Sequence, residues 1–372
     1  MKINQFIARL PALYFSASEN GGPSYYLQGD PGGGKTSAFD TFPRTMKRLF
    51  PNEEYGLGVI NGANFTLMTA MGFMIPKVID GRDISKFTDP YWMYIQMPDG
   101  SYRHMSTFTG GILLIDEYDK LGQDEKKIVG EASLSKILGT HRLPSGWVVM
   151  FAGNYLHNRS GGGKDLDHMI MRRITLHVQN DVECTVDHFK SINVLPEVVQ
   201  FSEENPQLLF EEQPPDQRPR CSPRTVRQVD IHLQSLMRLF GVDKIPVDPL
   251  TQEEIAGGIG KPACAQLVKT INLGQELHSF EEVCAKPTTI TLPGKPDAQR
   301  LMSYKLASRV TVETAGQVLT FMARMPQEHQ AMFVRMAVQR NYQIAFQPDF
   351  AAWCARHSAL IAILTKYKVA DK

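Results

Sequence analysis

The stretch Gly29-Asp30-Pro31-Gly32-Gly33-Gly34-Lys35-Thr36 constrains this chain more than any other. It fits G-x-x-x-x-G-K-[ST], the pattern of a loop that wraps phosphate groups. Gly29, Gly32, Gly33 and Gly34 permit backbone conformations closed to residues with a β-carbon. In those conformations successive N–H groups of the loop can converge on phosphate oxygens. Lys35 adds a point charge for the outer phosphates, and the Thr36 hydroxyl is placed to ligate magnesium. The flanks agree. Ser24-Tyr25-Tyr26-Leu27-Gln28 has strand character. Thr36 to Leu49 carries Phe39, Phe42, Met46 and Leu49 at helical spacing, with an irregularity expected at Pro43. A glycine-rich surface turn is the competing reading.

Composition narrows the class. A chain of 372 residues, 42% apolar and 21% charged, is long enough for two or three domains. A net charge of +1 gives no broad basic field, so nucleic acid is not indicated as a partner. The five cysteines are scattered without a C-x-x-C pair, which fits reduced thiols in the cytoplasm rather than a zinc site or disulfide frame. No apolar run approaches the roughly 18 residues of a membrane span. Near the N-terminus, Ile3, Phe6, Ile7 and Leu10 fall on one helical face, and Asn4, Gln5 and Arg9 interrupt any signal-peptide core, so a packed helix is expected there.

Along the chain, Leu57 to Asn61 reads as a strand. Residues 62–108 look irregular, and within them Met71 to Pro76 is either a core-packed loop or an insertion that presents apolar side chains to a partner. Gly111-Ile112-Leu113-Leu114-Ile115-Asp116-Glu117 suits a strand buried on both faces, ending in two carboxylates at a ligand-binding edge. Asp116 is assigned to magnesium, and Glu117 to orienting or deprotonating the attacking water. Asp124 to Leu138 is expected to be a helix stopped by Gly139, with a turn at Leu143 to Gly146. Trp147 to Ala152 is a further buried strand. It ends at Gly153-Asn154, where the Asn154 amide can reach a phosphate or the attacking water, or serve as an ordinary turn residue. Ser160 to Lys164 is a glycine loop without phosphate-loop spacing. His168 to Arg173 then leads into the strand Ile174 to Val178. Arg172 and Arg173 are helix-end charges or an arginine finger.

From about Asp181 the chain turns helical, with a helix over Leu195 to Glu203 and a loop over Glu211 to Arg220. Ser222-Pro223-Arg224-Thr225 reads as N-cap, first helical position and first turn. Arg224 sits there against the helix dipole. Residues 252–271 form a further helix. Thr288 to Pro293 is a short extended piece, and helices continue to about Lys366 with core stripes of Met and aromatics.

Taken together, G-x-x-x-x-G-K-T, I-L-L-I-D-E, a strand ending in G-N, L-D-H-M-I-M-R-R-I and S-P-R-T resemble the AAA+ ATPases over roughly residues 1–270. Leu143 to Val149 and Ser222 to Thr225 are similar to the MoxR-like branch, related to dynein-type modules. The resemblance implies an α/β fold: a P-loop parallel-sheet core over residues 1–179, a helical lid over 180–275 and a helical C-terminal extension over 276–372. It makes Gly29 to Thr36 the Walker A loop, Asp116 and Glu117 Walker B, and Asn154 sensor 1. Arg172, or Arg173 in its stead, is the finger, and Arg224 is sensor 2. It implies ATP with Mg2+ and a homo-oligomeric ring, usually of six. The implied activity is ATP-driven remodelling of a protein partner, often one with a von Willebrand factor A-type domain. A nucleic-acid motor or loader and a nucleotide switch or scaffold are the alternatives.

Overall fold

The structure is a computed structural model, described for residues 1–155, 170–211 and 218–355. The chain divides into two compact units, Met1–Asp181 and Val182–Lys372.

The first unit is built on five parallel strands: β1 (Ser24–Gly29), β2 (Tyr55–Asn61), β7 (Gly110–Asp116), β10 (Trp147–Asn154) and β11 (Arg173–Val178). Their order across the sheet is β11-β1-β10-β7-β2. After β1 the chain crosses to the far edge, steps back through β7 and β10, and passes β1 to the other edge. The inner strands are apolar without a break because both faces are covered. Ile112 and Leu114 pack with Phe6, Leu10, Phe39 and Phe42 of the helices α1 (Ile3–Ser18), α2 (Lys35–Asp40) and α3 (Phe42–Leu49). Leu113 and Ile115 point to the other face, toward Val129 and Ala132 of α5 (Gln123–Ser135). The period of two along β7 thus feeds two separate cores.

Between β2 and β7 lie a short helix α4 (Leu67–Met71) and two hairpins, β3 (Met74–Ile79) with β4 (Arg82–Phe87) and β5 (Tyr94–Gln96) with β6 (Tyr102–His104). The stretch expected to be irregular therefore has structure of its own. The β3–β4 turn is Asp80-Gly81, with φ of 51° and 72°. That dipeptide is the local signal of a tight hairpin. A third hairpin, β8 (Ile137–Leu138) with β9 (His141–Arg142), follows α5. The helix expected to reach Leu138 stops at Ser135, because Lys136 turns left-handed with φ 60°. The helix after the phosphate loop breaks at Thr41, and Pro43 falls in the first turn of α3, where its missing N–H costs nothing.

The second unit is helical. Phe201, Leu233, Leu267, Tyr304, Phe321, Phe333 and Phe350 belong to one continuous core, so the segments on either side of residue 275 pack together. Lys190 pairs with Glu203 at 3.0 Å, Glu203 accepts from Tyr304 Oη at 2.5 Å, and Lys305 pairs with Glu197 at 3.0 Å. Residues 252–271 are covered by two helices, Pro249–Ile259 and Lys261–Gln275, parted by Gly260 at φ 81°. Thr288 to Pro293 forms turns rather than a strand.

The five cysteines are free thiols. Among the described residues no helix is long and apolar enough to cross a membrane. The expected glycine loop Ser160 to Lys164, residues Leu166 to Met169, part of the expected 211–220 loop and the residues beyond 355, expected to be helical, lie outside the described residues.

Candidate nucleotide site

β1 ends at Gly29 and α2 begins at Lys35, so residues 30–34 bridge strand to helix. Gly32 and Gly34 take φ of 80° and 76°, values that residues with a β-carbon rarely adopt. Gly34 is the N-cap of α2. Lys35 is only 8% exposed and curls under the loop. Its Nζ donates to Gly29 O at 2.9 Å, Asp30 O at 2.7 Å and Asn154 Oδ1 at 3.1 Å. Asp30 Oδ2 accepts from Asn180 Nδ2 at 3.0 Å, which ties the loop to the end of β11.

Thr36 Oγ1 donates to Asp116 Oδ2 at 2.7 Å. Asp40, at the end of α2, lies above the usual carboxylate range, first by partial desolvation and then by the negative charge of Asp116. A hydroxyl, a carboxylate and excess negative charge are what a hard cation takes, and magnesium is held by one or two carboxylates plus phosphates rather than by a protein cage. Among the described residues no cluster of three or more carboxylate, His or Cys groups that could hold a metal exists. Thr36 and Asp116 are the residues that would hold the ion. Glu117 follows at φ 51°, a left-handed conformation uncommon outside glycine and of the sort found at functional sites. Its carboxylate pairs with Lys120 at 2.9 Å.

Asn154 is held by a residue that sequence reading missed. Buried Asp119 accepts from Asn154 N at 2.8 Å and from Asn154 Nδ2 at 3.3 Å. The backbone N–H and the side-chain amide are both fixed by it, and Oδ1 is turned toward Lys35. Gly153 makes room for this. A Cβ there would stand 2.6 Å from Asp119 Oδ1 and 2.6 Å from Tyr26 Oη. The available signal was Asp119 itself, three residues past Asp116. Replacing Asp119 by alanine leaves the Asn154 N–H without its acceptor and lowers stability by about 1–3 kcal/mol in denaturant unfolding. If Asp119 acts through Asn154, any accompanying loss of function shrinks to little in an Asn154→Ala background.

The paired arginines part ways. The Arg173 guanidinium stacks 4.6 Å over the Tyr26 ring and 5.2 Å over that of Tyr118. It is committed to an aromatic layer beneath the sheet, a cation–π arrangement. Arg172 is exposed. Arg173 pairs with Ser24 at the start of β1, whereas the phosphate loop follows Gly29 at its end. A strand of this length spans about 17–20 Å, so Arg172 lies far from its own chain's loop. Arg224 belongs to the second unit, exposed in the first turn of the helix Pro223–Phe240 behind the Ser222 cap.

Sheet and loop together define an α/β protein with a phosphate-binding loop at the C-terminal edge of a parallel sheet, the place where such sheets bind ligands. No protein-family model matches the sequence, and the comparison with curated proteins finds no match. Among solved structures, one variant of RuvB from Thermotoga maritima aligns over 78% of this chain and 77% of its own, at 10% identity and a TM-score of 0.38. A second RuvB variant aligns over 77% and 76%, at 11% identity and a TM-score of 0.37. NtrX from Brucella abortus, in complex with ADP, aligns over 97% and 68%, at 13% identity and a TM-score of 0.36.

Proposed function

We propose that this chain is a magnesium-dependent ATPase of the AAA+ type that works as a homo-oligomeric ring and couples ATP hydrolysis to the remodelling of a protein partner. The observation that carries the reading is the convergence at the loop: Lys35 bonds Asn154 while Thr36 bonds Asp116, with Glu117 beside them. These are the side chains a phosphoryl-transfer site needs, from residues up to 119 positions apart.

In this mechanism the loop N–H groups and Lys35 hold the phosphates. Lys35 exchanges its bonds to the Gly29 and Asp30 carbonyls for phosphate oxygens. Thr36 and Asp116 would hold magnesium, which would supply charge neutralisation at the outer phosphates. Asn154, oriented by Asp119, aligns the attacking water, and Glu117 takes its proton. The Glu117–Lys120 pair is about one-third exposed on both sides, so it is weak and easily opened. Arg172, remote from its own loop, serves the nucleotide of a neighbouring copy.

The protein-partner reading is supported by the β3–β4 hairpin. Met74 is 60% exposed and Val78 64% on one face of β3, with Ile75 and Ile79 exposed on the other and Phe73, just before the strand, 70% exposed. The hairpin pairs with no other strand among the described residues. A two-stranded hairpin alone is marginally stable in water, and apolar side chains on both faces call for a covering chain. Its charges alternate in sign, with Lys77, Arg82 and Lys86 against Asp80 and Asp83, which suits a protein better than a nucleic acid. A MoxR-like role in the cytoplasm, on a partner with a von Willebrand factor A-type domain, is the specific form of this proposal, and the five free thiols suit that compartment.

The test is steady-state ATP hydrolysis per subunit over a range of protein concentrations, beside Lys35→Ala. Wild type is expected to show a specific rate that climbs with concentration as interfaces form. Lys35→Ala is expected to lose tight nucleotide binding and turnover together. Unchanged nucleotide affinity in Lys35→Ala would remove the loop assignment.

A further inference from the structure

A cleft of about 490 Å³ opens at the N-terminal edge of the sheet, beside Gly22 and Pro23, which lead into β1. It lies at the end of the sheet away from the phosphate loop, and of its residues only Arg172 has a part in the mechanism proposed for that loop. Lys136, Arg172 and Arg173 line it, against one carboxylate, Glu19. Neither Lys136 nor Arg172 has a carboxylate partner among the described residues, and the one hydrogen bond of the Lys136 ammonium among them is a long one, 3.5 Å to Ala17 O.

Lys136 is unusual in two further ways. It caps the C-terminal end of α5 at φ 60°, a left-handed conformation uncommon for a lysine. Burial pushes its ammonium below the ordinary lysine range, with no anion to offset the desolvation. A desolvated cation without a counter-charge is costly unless a ligand supplies one. The rim is apolar and exposed, with Leu134 at 39%, Met171 at 83% and Ile174 at 45%. Methionine and arginine beside aliphatic side chains are the composition of a protein interface rather than of a free surface.

We infer that this cleft receives the terminal phosphate of a nucleotide held by a neighbouring copy of the chain, and that Lys136 is a second cation acting on it together with Arg172. The inference rests on the ring ATPase reading. The cleft supplies two positive charges to a group whose charge spreads over its outer oxygens during transfer. A desolvated ammonium acts there with little screening. The apolar rim seals the contact against the neighbouring subunit and keeps water out.

Complementation between variants tests this. Lys136→Ala and Lys136→Met are expected to keep nucleotide affinity and to lose turnover by about 10²-fold, with Lys136→Arg recovering most of it. Mixing Lys136→Ala with Glu117→Gln subunits is expected to raise activity, since a Glu117→Gln subunit offers an intact cleft to a neighbour with an intact loop. Mixing Lys136→Ala with Arg172→Ala is expected to give no gain, because both defects sit on the same face. A gain in that second mixture would place Lys136 at its own chain's nucleotide and overturn the inference. Full turnover in both Lys136→Ala and Lys136→Met would overturn it as well. Thermal melting and sedimentation accompany each variant. If Lys136→Ala fails to fold, Lys136→Met, which keeps the aliphatic stem, decides the outcome. The underlying reading fails separately: if Arg172→Ala also retains full turnover, the composite ring site is wrong. If Arg172→Ala is impaired and the Lys136 variants are not, only the role of Lys136 is wrong.

Discussion

Arg172→Ala lowers ATP turnover by about 10³–10⁵-fold and leaves nucleotide affinity in place. The direction follows from where the residue stands. It is exposed, at the start of β11, while the loop that holds the phosphates lies beyond the opposite end of β1. Its guanidinium therefore contributes nothing to binding within one chain. In the proposed ring its contribution is expected only where a second chain brings a nucleotide to it, to offset charge that develops as the phosphoryl group leaves. Calorimetric titration with a non-hydrolysable ATP analogue reads the affinity, and a coupled assay reads the rate. Mixing Arg172→Ala with Glu117→Gln subunits restores part of the activity, since some interfaces then combine a sound arginine with a sound base. Two inactive variants that recover nothing on mixing would mean that Arg172 is structural. Arg173→Ala behaves differently. Loss of its stacking on Tyr26 and Tyr118 shows first in thermal unfolding.

Glu117→Gln abolishes most of the turnover, by about 10²–10⁴-fold, and traps bound ATP. The substituted amide keeps the size of the side chain but takes no proton from water. Folding is nearly untouched, because the ion pair removed is the partly exposed one to Lys120, worth at most about 1 kcal/mol. The left-handed backbone at residue 117 is unchanged by the substitution. Single-turnover kinetics separate this from a binding defect: ATP remains bound and uncleaved. Retained turnover would mean that another group is the base.

Some of this was written locally in the chain. The glycines of the loop stand where φ is positive, and only local backbone preference decides that. Ile112 to Ile115 and Trp147 to Ala152 announce buried strands by being apolar without interruption. Ser222-Pro223 announces its helix by a cap that bonds Thr225 N at 3.2 Å. The Asp80-Gly81 turn was equally local, yet the apolar residues around it obscured the hairpin. The end of α5 at Lys136 was not local, since a lysine has no preference for a left-handed stop and Gly139 nearby is the better candidate.

The chemistry at hand is legible in the amino-acid order: a phosphate loop, a pair of carboxylates after a buried strand, an amide and several arginines. Each has a signature within a few residues, because strand period, glycine conformation and helix capping act over that range. Which of these groups meet is a property of the folded chain alone. Thr36 reaches Asp116 across 80 residues, and Lys35 reaches Asn154 across 119. Asp119 becomes the holder of Asn154 because β7 and β10 are neighbours in the sheet. Arg172 and Arg173 are adjacent in the chain, yet Arg172, in the turn before β11, faces solvent while Arg173, the first residue of the strand, stacks on an aromatic layer. Contacts through space between distant strands leave no mark on the residues next to them, and so the site had to be folded before it could be read.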